Sequence, residues 1–202
     1  MNRKLLVSKF ANFFGYLILP LYILKEHEFI NKLMLIFRSA VIKRYIEWGG
    51  GAVGKEFHIG RNCIIKKHRK GNFIVGDNVA IGDNVMINIG CDAVLTIGSE
   101  VHIGYGGRVS CFERINIGNN TLIASYANIL DHNHKFDLKR VPSTTLYDCM
   151  PIDIAEGVWL GTKVQVNKGV SVESFSVVGA NAVVTKSLKR GVYGGIPARK
   201  IK

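Results

Sequence analysis

IAEGVWLGTKVQVNKGVSVESFSVVGANAVV, residues 154–184, puts an aliphatic residue at every sixth position: Ile154, Leu160, Val166, Val172, Val178 and Val184. An amphipathic helix needs a spacing near 3.6 and a half-buried strand alternates by two, so a period of six fits neither. A second lattice of small or β-branched residues follows four positions behind: Val158, Val164, Val170, Ser176 and Ala182. Upstream the same register runs through Val75, Ile81 and Ile87, then Ile97, Ile103 and Val109, then Ile117, Ile123 and Ile129. A rougher start lies at Val53 and Ile59, and Val79, Val85, Val101, Thr121 and Ala127 continue the second lattice. Three hexads close one triangular turn, and Gly76-Asp77-Asn78, Gly82-Asp83-Asn84 and Gly118-Asn119-Asn120 supply corners where unusual backbone angles are needed. The predicted fold class is mainly β, a parallel β-helix whose turns bury their aliphatic residues only against neighbouring turns. A β-sandwich of short strands does not hold one register for so long.

The longest break in the register follows Ile129. Ile129 to Ile154 exceeds the regular step by about nineteen residues, which places Lys135–Asp153 in a loop that leaves the coil. A long insertion in a compact repeat is more often functional than idle. Residues 1–47 are of another kind, so two regions are expected: 1–47, helical, basic and apolar, and 48–202, the coil with its loop 135–153. The run FFGYLILPLYIL at 13–24 is too short to span a bilayer, which takes roughly 20 residues. Phe29, Ile30, Leu33, Met34, Ile36 and Phe37 then recur at an approximately helical spacing among Lys32, Arg38, Lys43 and Arg44. Such an element either lies in an anionic membrane interface or caps the coil or a neighbouring subunit.

The net charge is +12, and it is spread: residues 1–47 hold eight Lys or Arg against three Glu, and the remainder nineteen against twelve acids. Without an RNA-binding aromatic signature, a helix-turn-helix or zinc-finger spacing, this excess does not point to nucleic acid. Four scattered cysteines without CxxC spacing, and no signal-peptide cleavage pattern, argue against disulfides and structural zinc. The expected location is cytoplasmic, with peripheral contact at the inner membrane's cytoplasmic face open to residues 1–47.

Three features together carry a family resemblance. They are the repeat, the segment IASYANILDHNH at 123–134, and a downstream run from Val158-Trp159-Leu160-Gly161-Thr162 through Val178-Gly179-Ala180 and Val184-Thr185-Lys186 to Gly194-Gly195-Ile196-Pro197-Ala198-Arg199. Over roughly residues 53–202 the chain resembles the hexapeptide-repeat acyltransferases, and within them it is similar to maltose and galactoside O-acetyltransferases and to surface-polysaccharide O-acetyltransferases. The resemblance implies a left-handed parallel β-helix, a homotrimer with sites between subunits, acetyl-CoA as donor, no metal, and a sugar or glycan hydroxyl as acceptor. It selects His132, at the end of the hexads before the loop, as the base that an attacking hydroxyl requires near neutral pH. His134 is the rival, and Asp131 or a backbone oxygen would fix the tautomer. It further implies that Gly161 and Thr162 supply an amide to the oxyanion with Trp159 shaping the site. The pantetheine arm would pass beside Gly179 and Ala180, and Thr185, Lys186, Arg199 and Lys202 would meet the cofactor's phosphates. Direct transfer needs no acyl-enzyme, so the cysteines are expected to be inert.

Two departures bear on the acceptor. The segment from Ile123 to His132 is shorter than in enzymes acting on free galactosides, and residues 1–47 do not resemble their acceptor-binding helices. A lipid-linked or polymeric glycan is therefore expected, as in O-antigen, capsule or exopolysaccharide synthesis. The alternatives are N-acetyl transfer to an amino sugar or nucleotide sugar, a non-catalytic scaffold, and a zinc lyase with His102, His132 and His134 as ligands across a subunit interface. The lyase leaves Thr185-Lys186 and the Gly-Ile-Pro-Ala-Arg run without purpose. His27, His58, His68 and His102 read as solvated or structural, and Lys66-Lys67-His68-Arg69-Lys70 as a solvated loop or a contact for phosphate or lipid headgroups.

Overall fold

The computed structural model describes residues 27–138, 141 and 143–202, so the apolar run at 13–24 lies outside the described residues. The hexads form short parallel strands stacked into three faces, as the sixfold period predicts. One turn shows the scheme: Arg114–Ile117 lies on face 1, Leu122–Ile123 on face 2 and Asn128–Leu130 on face 3. Faces 1 and 3 each hold six strands, which gives a coil of about six turns. Residue pairs stack in strict register, with Ile117 between Ile97 and Ile154, Ile123 between Ile103 and Leu160, and Ile129 between Val109 and Val166. The first lattice thus fills the interior, and these residues are essentially inaccessible. The second lattice turns inward at the corners, where Val158, Val164 and Ala182 are equally buried. Each fully buried Ile, Leu or Val contributes roughly 1.5–3 kcal/mol, so the coil gains stability turn by turn. At the corners Asn78, Asn84 and Asn120 sit at φ 54°, 58° and 54°, the left-handed region that asparagine tolerates.

The chain divides into two units, Met1–Arg38 and Ser39–Lys202. Of the first, residues 27–38 are described; they are helical and expose Phe29, Ile30, Leu33, Met34, Ile36 and Phe37. The helical run continues to residue 48, so its last ten residues belong to the coil's unit, earlier than the boundary expected at 47/48. There Ile46 is fully buried, Ser39 Oγ accepts the Ile59 N–H at 3.1 Å and Lys43 Nζ donates to the Gly54 carbonyl at 2.8 Å, which closes the first turn. At the other end Val192–Gly194 pairs in parallel with Val177–Val178 and antiparallel with Arg199–Lys200. Among the described residues no helix is long and apolar enough to cross a membrane.

The insertion is a β-hairpin rather than a plain loop, and its bounds differ from 135–153. His132–His134 pairs antiparallel with Tyr147–Cys149, so the chain leaves the coil immediately after Leu130 and Asp131. It rejoins at Ile152, not after Asp153, because Ile152 is buried opposite Ile115 and Asp153 already lies in the ladder with Asn116. The four cysteines are free.

Candidate functional site

The hairpin's exit point is organised by one carboxylate. Asp131 is wholly buried, and its oxygens accept the Phe112 N–H at 2.8 and 3.0 Å and the Glu113 N–H at 2.7 Å. Those amides belong to the corner of the preceding turn, which spans only Phe112 and Glu113 between two strands and so leaves its N–H groups pointing at the next turn. A buried carboxylate is costly unless its lone pairs are occupied, and here they are. The remaining partner is His132, whose Nδ1 lies 3.1 Å from Asp131 Oδ1. A carboxylate accepts only, so this contact places the neutral ring's proton on Nδ1 and leaves Nε2 as the basic nitrogen.

Aromatic side chains fix the imidazole. Phe112 lies against it with ring centroids 4.1 Å apart, and Tyr147 meets it edge-on at 5.2 Å. Phe112 and Tyr147 also touch each other at 4.5 Å. Only 12% of the His132 side chain reaches solvent, which confines its opening to a small window. His134 is exposed, 4.8 Å from Tyr147, with no carboxylate partner among the described residues. Across the hairpin, burial pushes the Cys149 thiol up, with Asp131, Glu113 and Asp148 adding to the effect. The Cys111 thiol is pushed up further by burial and then by Asp131. Both remain thiols near neutral pH and are therefore poor nucleophiles. The hairpin is tied to the coil by the Lys168–Asp148 ion pair and by the Gly169 N–H to the Met150 carbonyl at 3.1 Å.

The sequence-predicted residues fall on different edges of the triangular prism. Asp131, His132 and His134 stand at the edge between faces 3 and 1, and Thr185 and Lys186 occupy the same edge two turns later, directly after Val183–Val184. Gly161, Thr162, Gly179 and Ala180 form a column at the edge between faces 2 and 3. Gly161 is pressed onto the next turn, and a Cβ there would lie 2.7 Å from the Ala180 nitrogen. The Thr162 carbonyl accepts the Asn181 N–H at 2.9 Å, while among the described residues nothing accepts the N–H of Thr162 or Ala180. Arg199 pairs with Gly194 at that edge, whereas the Lys202 carbonyl accepts the Val192 N–H at the opposite side of face 2. Trp159 lies on face 2 and is 49% exposed, so it is not core packing. The protomer therefore does not bring His132 and Thr162 together: face 3 separates them.

Phe112 and Tyr147 were not among the residues predicted to form the site. The one sequence signal for Phe112 is spacing: Val109 to Ile117 is eight residues where Ile87 to Ile97 is ten, which marks a corner two residues shorter. Among the described residues no group of three or more His, Cys, Asp or Glu could hold a metal ion, and His102 projects from face 2, away from His132 and His134.

No family model matches the sequence. Among curated proteins the chain is 30% identical over 149 residues to WbbJ of Escherichia coli strain K12, named as a lipopolysaccharide-biosynthesis O-acetyl transferase, with 69% of this chain and 75% of that one covered. It is 29% identical over 129 residues to the galactoside O-acetyltransferase of the same strain, covering 63% of this chain and 62% of that one. Among solved structures, an acetyl-coenzyme A complex of a hexapeptide-repeat-containing acetyltransferase from Vibrio cholerae O1 biovar eltor superposes with TM-score 0.50 at 27% identity over 76% of this chain and 70% of that one. AntD, a Bacillus cereus N-acyltransferase solved with dTDP and 3-hydroxybutyryl-CoA, has the same fold, with TM-score 0.67 at 24% identity over 75% and 81%.

Proposed function

The chain belongs to the hexapeptide-repeat acyltransferases, and from that premise we propose that it transfers an acetyl group from acetyl-CoA to a sugar hydroxyl during surface-polysaccharide synthesis, with His132 as general base. The observation that carries this reading is the Asp131–His132 pair: a fully buried carboxylate on Nδ1 and a ring clamped by Phe112 and Tyr147. Nε2 takes the proton of the acceptor hydroxyl as its oxygen attacks the thioester carbonyl. The tetrahedral oxyanion is stabilised by a backbone N–H, for which the unpaired Thr162 amide is the candidate. Collapse expels the coenzyme A thiolate, which recovers the proton from the imidazolium. Asp131 holds the ring in one orientation throughout.

Because His132 and Thr162 lie on different edges of one coil, the site closes only if the 3–1 edge of one protomer faces the 2–3 edge of another. That arrangement favours a cyclic homotrimer, with Gly179, Ala180 and Arg199 beside the cofactor's arm and phosphates. The likeness to WbbJ supports a glycan hydroxyl, whereas the fold shared with AntD favours an amine. One experiment separates them. The full chain is incubated with acetyl-CoA and a panel of glycans and amino sugars, and products are read by mass and by lability to hydroxylamine, which cleaves esters and spares amides. Gain of a hydroxylamine-labile acetyl group is expected; a stable acetamide, or no acetyl gain on any acceptor, overturns the assignment.

A further inference from the structure

The edge that carries His132 continues toward the N-terminus as a groove of about 530 Å³, lined among others by Lys66, His68, Gly90 and Phe112 and reaching Tyr45 of the helix. It opens beside the proposed catalytic residue, because the Phe112 ring that packs on His132 also forms its wall. Gly90 makes this possible, since a Cβ there would meet Phe112 Cδ1 at 3.2 Å and push the ring out of place. The far end is basic. Lys67 is committed to the fold, donating to the carbonyls of His68 at 3.3 Å and Gly71 at 2.6 Å. Lys66, Arg69 and Lys70 are exposed and, among the described residues, form no ion pair with a carboxylate. The nearby Asp92 accepts the Cys91 thiol at 3.0 Å. The Lys70 N–H donates to His68 Nδ1 at 3.3 Å, which leaves the proton of the neutral ring on Nε2 as a donor. A groove with cations and a ring donor at one end and, at the other, an aromatic wall whose ring packs on His132 has a definite polarity.

We propose that this groove is the acceptor subsite for a sugar diphosphate, with the sugar against Phe112, its hydroxyl at His132 and the diphosphate at Lys66 and His68. The inference rests on the acetyl-transfer reading above. The dimensions fit. Turns stack at the inter-strand spacing of about 4.8 Å, so the corner at His68 lies three turns, roughly 14 Å, from the corner at His132, about the length of a hexose followed by two phosphates. Phosphate oxygens accept from both Lys66 and the His68 ring.

The test needs no knowledge of the sugar. With coenzyme A saturating, so that the cofactor's own phosphate site is filled, inorganic pyrophosphate is titrated into the full chain and into Lys66→Ala, Lys66→Arg and His68→Ala by calorimetry. The expected result is at least a tenfold loss of pyrophosphate affinity in Lys66→Ala and His68→Ala, with most of it retained in Lys66→Arg and melting temperatures unchanged. Equal affinity in all four proteins overturns the subsite, while acetyl transfer would still stand. Steady-state kinetics then compare a methyl glycoside, a uridine diphosphate sugar and a short polyprenyl diphosphate sugar. In Lys66→Ala the KM for the diphosphate acceptors rises about tenfold with kcat nearly unchanged, and the methyl glycoside is unaffected. Preference between the two diphosphates identifies a nucleotide or a lipid as the carrier half of the acceptor, which the product retains. An equal rise for the methyl glycoside would show that Lys66 acts on the sugar rather than the phosphate, and the proposal fails.

Discussion

Asp131 has two duties that a single substitution can separate. It is the acceptor for two corner amides and for His132 Nδ1, with no solvent exposure. Asp131→Asn keeps an oxygen for the amides but weakens the hold on the ring, whereas Asp131→Ala strands both N–H groups at about 1–3 kcal/mol each. Thermal melting should therefore fall for Asp131→Ala well beyond Asp131→Asn, while both lose turnover. His132→Ala is expected to lower kcat by about 10²–10⁴-fold with acetyl-CoA affinity nearly intact, which calorimetry alongside a turnover assay checks. His134→Ala should stay close to the parent; if instead it abolishes turnover and His132→Ala does not, the base is His134. It was the family resemblance that selected His132, at the end of the hexads before the long break, with Asp131 beside it as the candidate orienter, and the structure puts the two in contact. Phe112 and Tyr147 were not legible in the sequence, since they reach the imidazole through turn stacking and hairpin pairing from twenty and fifteen positions away. Only the shortened step from Val109 to Ile117 hinted at the corner that Asp131 caps.

The stacked elements tolerate change very unevenly from one corner to the next. At Gly161 an added Cβ would meet the Ala180 nitrogen at 2.7 Å and the Val178 carbonyl at 2.9 Å, both backbone atoms of the following turn. At Gly179 the nearest atom is the Tyr193 carbonyl at 3.3 Å. Gly161→Ala should thus force two turns apart and cost about 1–3 kcal/mol, comparable to overpacking elsewhere, while Gly179→Ala costs little; denaturant midpoints of the two variants check the order. The strands themselves were readable because a period of six leaves no competing template. The hairpin was not, because its stems, His132–His134 and Tyr147–Cys149, are three residues each with no apolar alternation and no two-residue turn signal. Its C-terminal bound was misplaced for a related reason: Ile152-Asp153-Ile154 alternates correctly for a coil strand, but the hexad count begins only at Ile154.

For the molecule as a whole, the placement of candidate residues on two edges makes a prediction about assembly that no single-chain variant tests. In a cyclic oligomer with heterologous contacts, every interface takes one edge from each of two neighbours. If each site pairs the His132 edge of one protomer with the Thr162–Ala180 edge of the next, then His132→Ala disables a site from one side and Ala180→Trp, at an exposed corner, blocks it from the other. Either variant alone is inactive. Dissociating the two, mixing them in equal amounts and reassembling leaves about a quarter of interfaces with an intact edge from each side, so activity should return to about one quarter of the parent level. A site built within one chain gives no recovery, because every protomer in the mixture carries one lesion. Sedimentation of the mixture verifies reassembly, so persistent inactivity in intact oligomers would mean that His132 and the 2–3 edge serve different purposes, and the oxyanion donor would have to be sought beside His132 on its own edge.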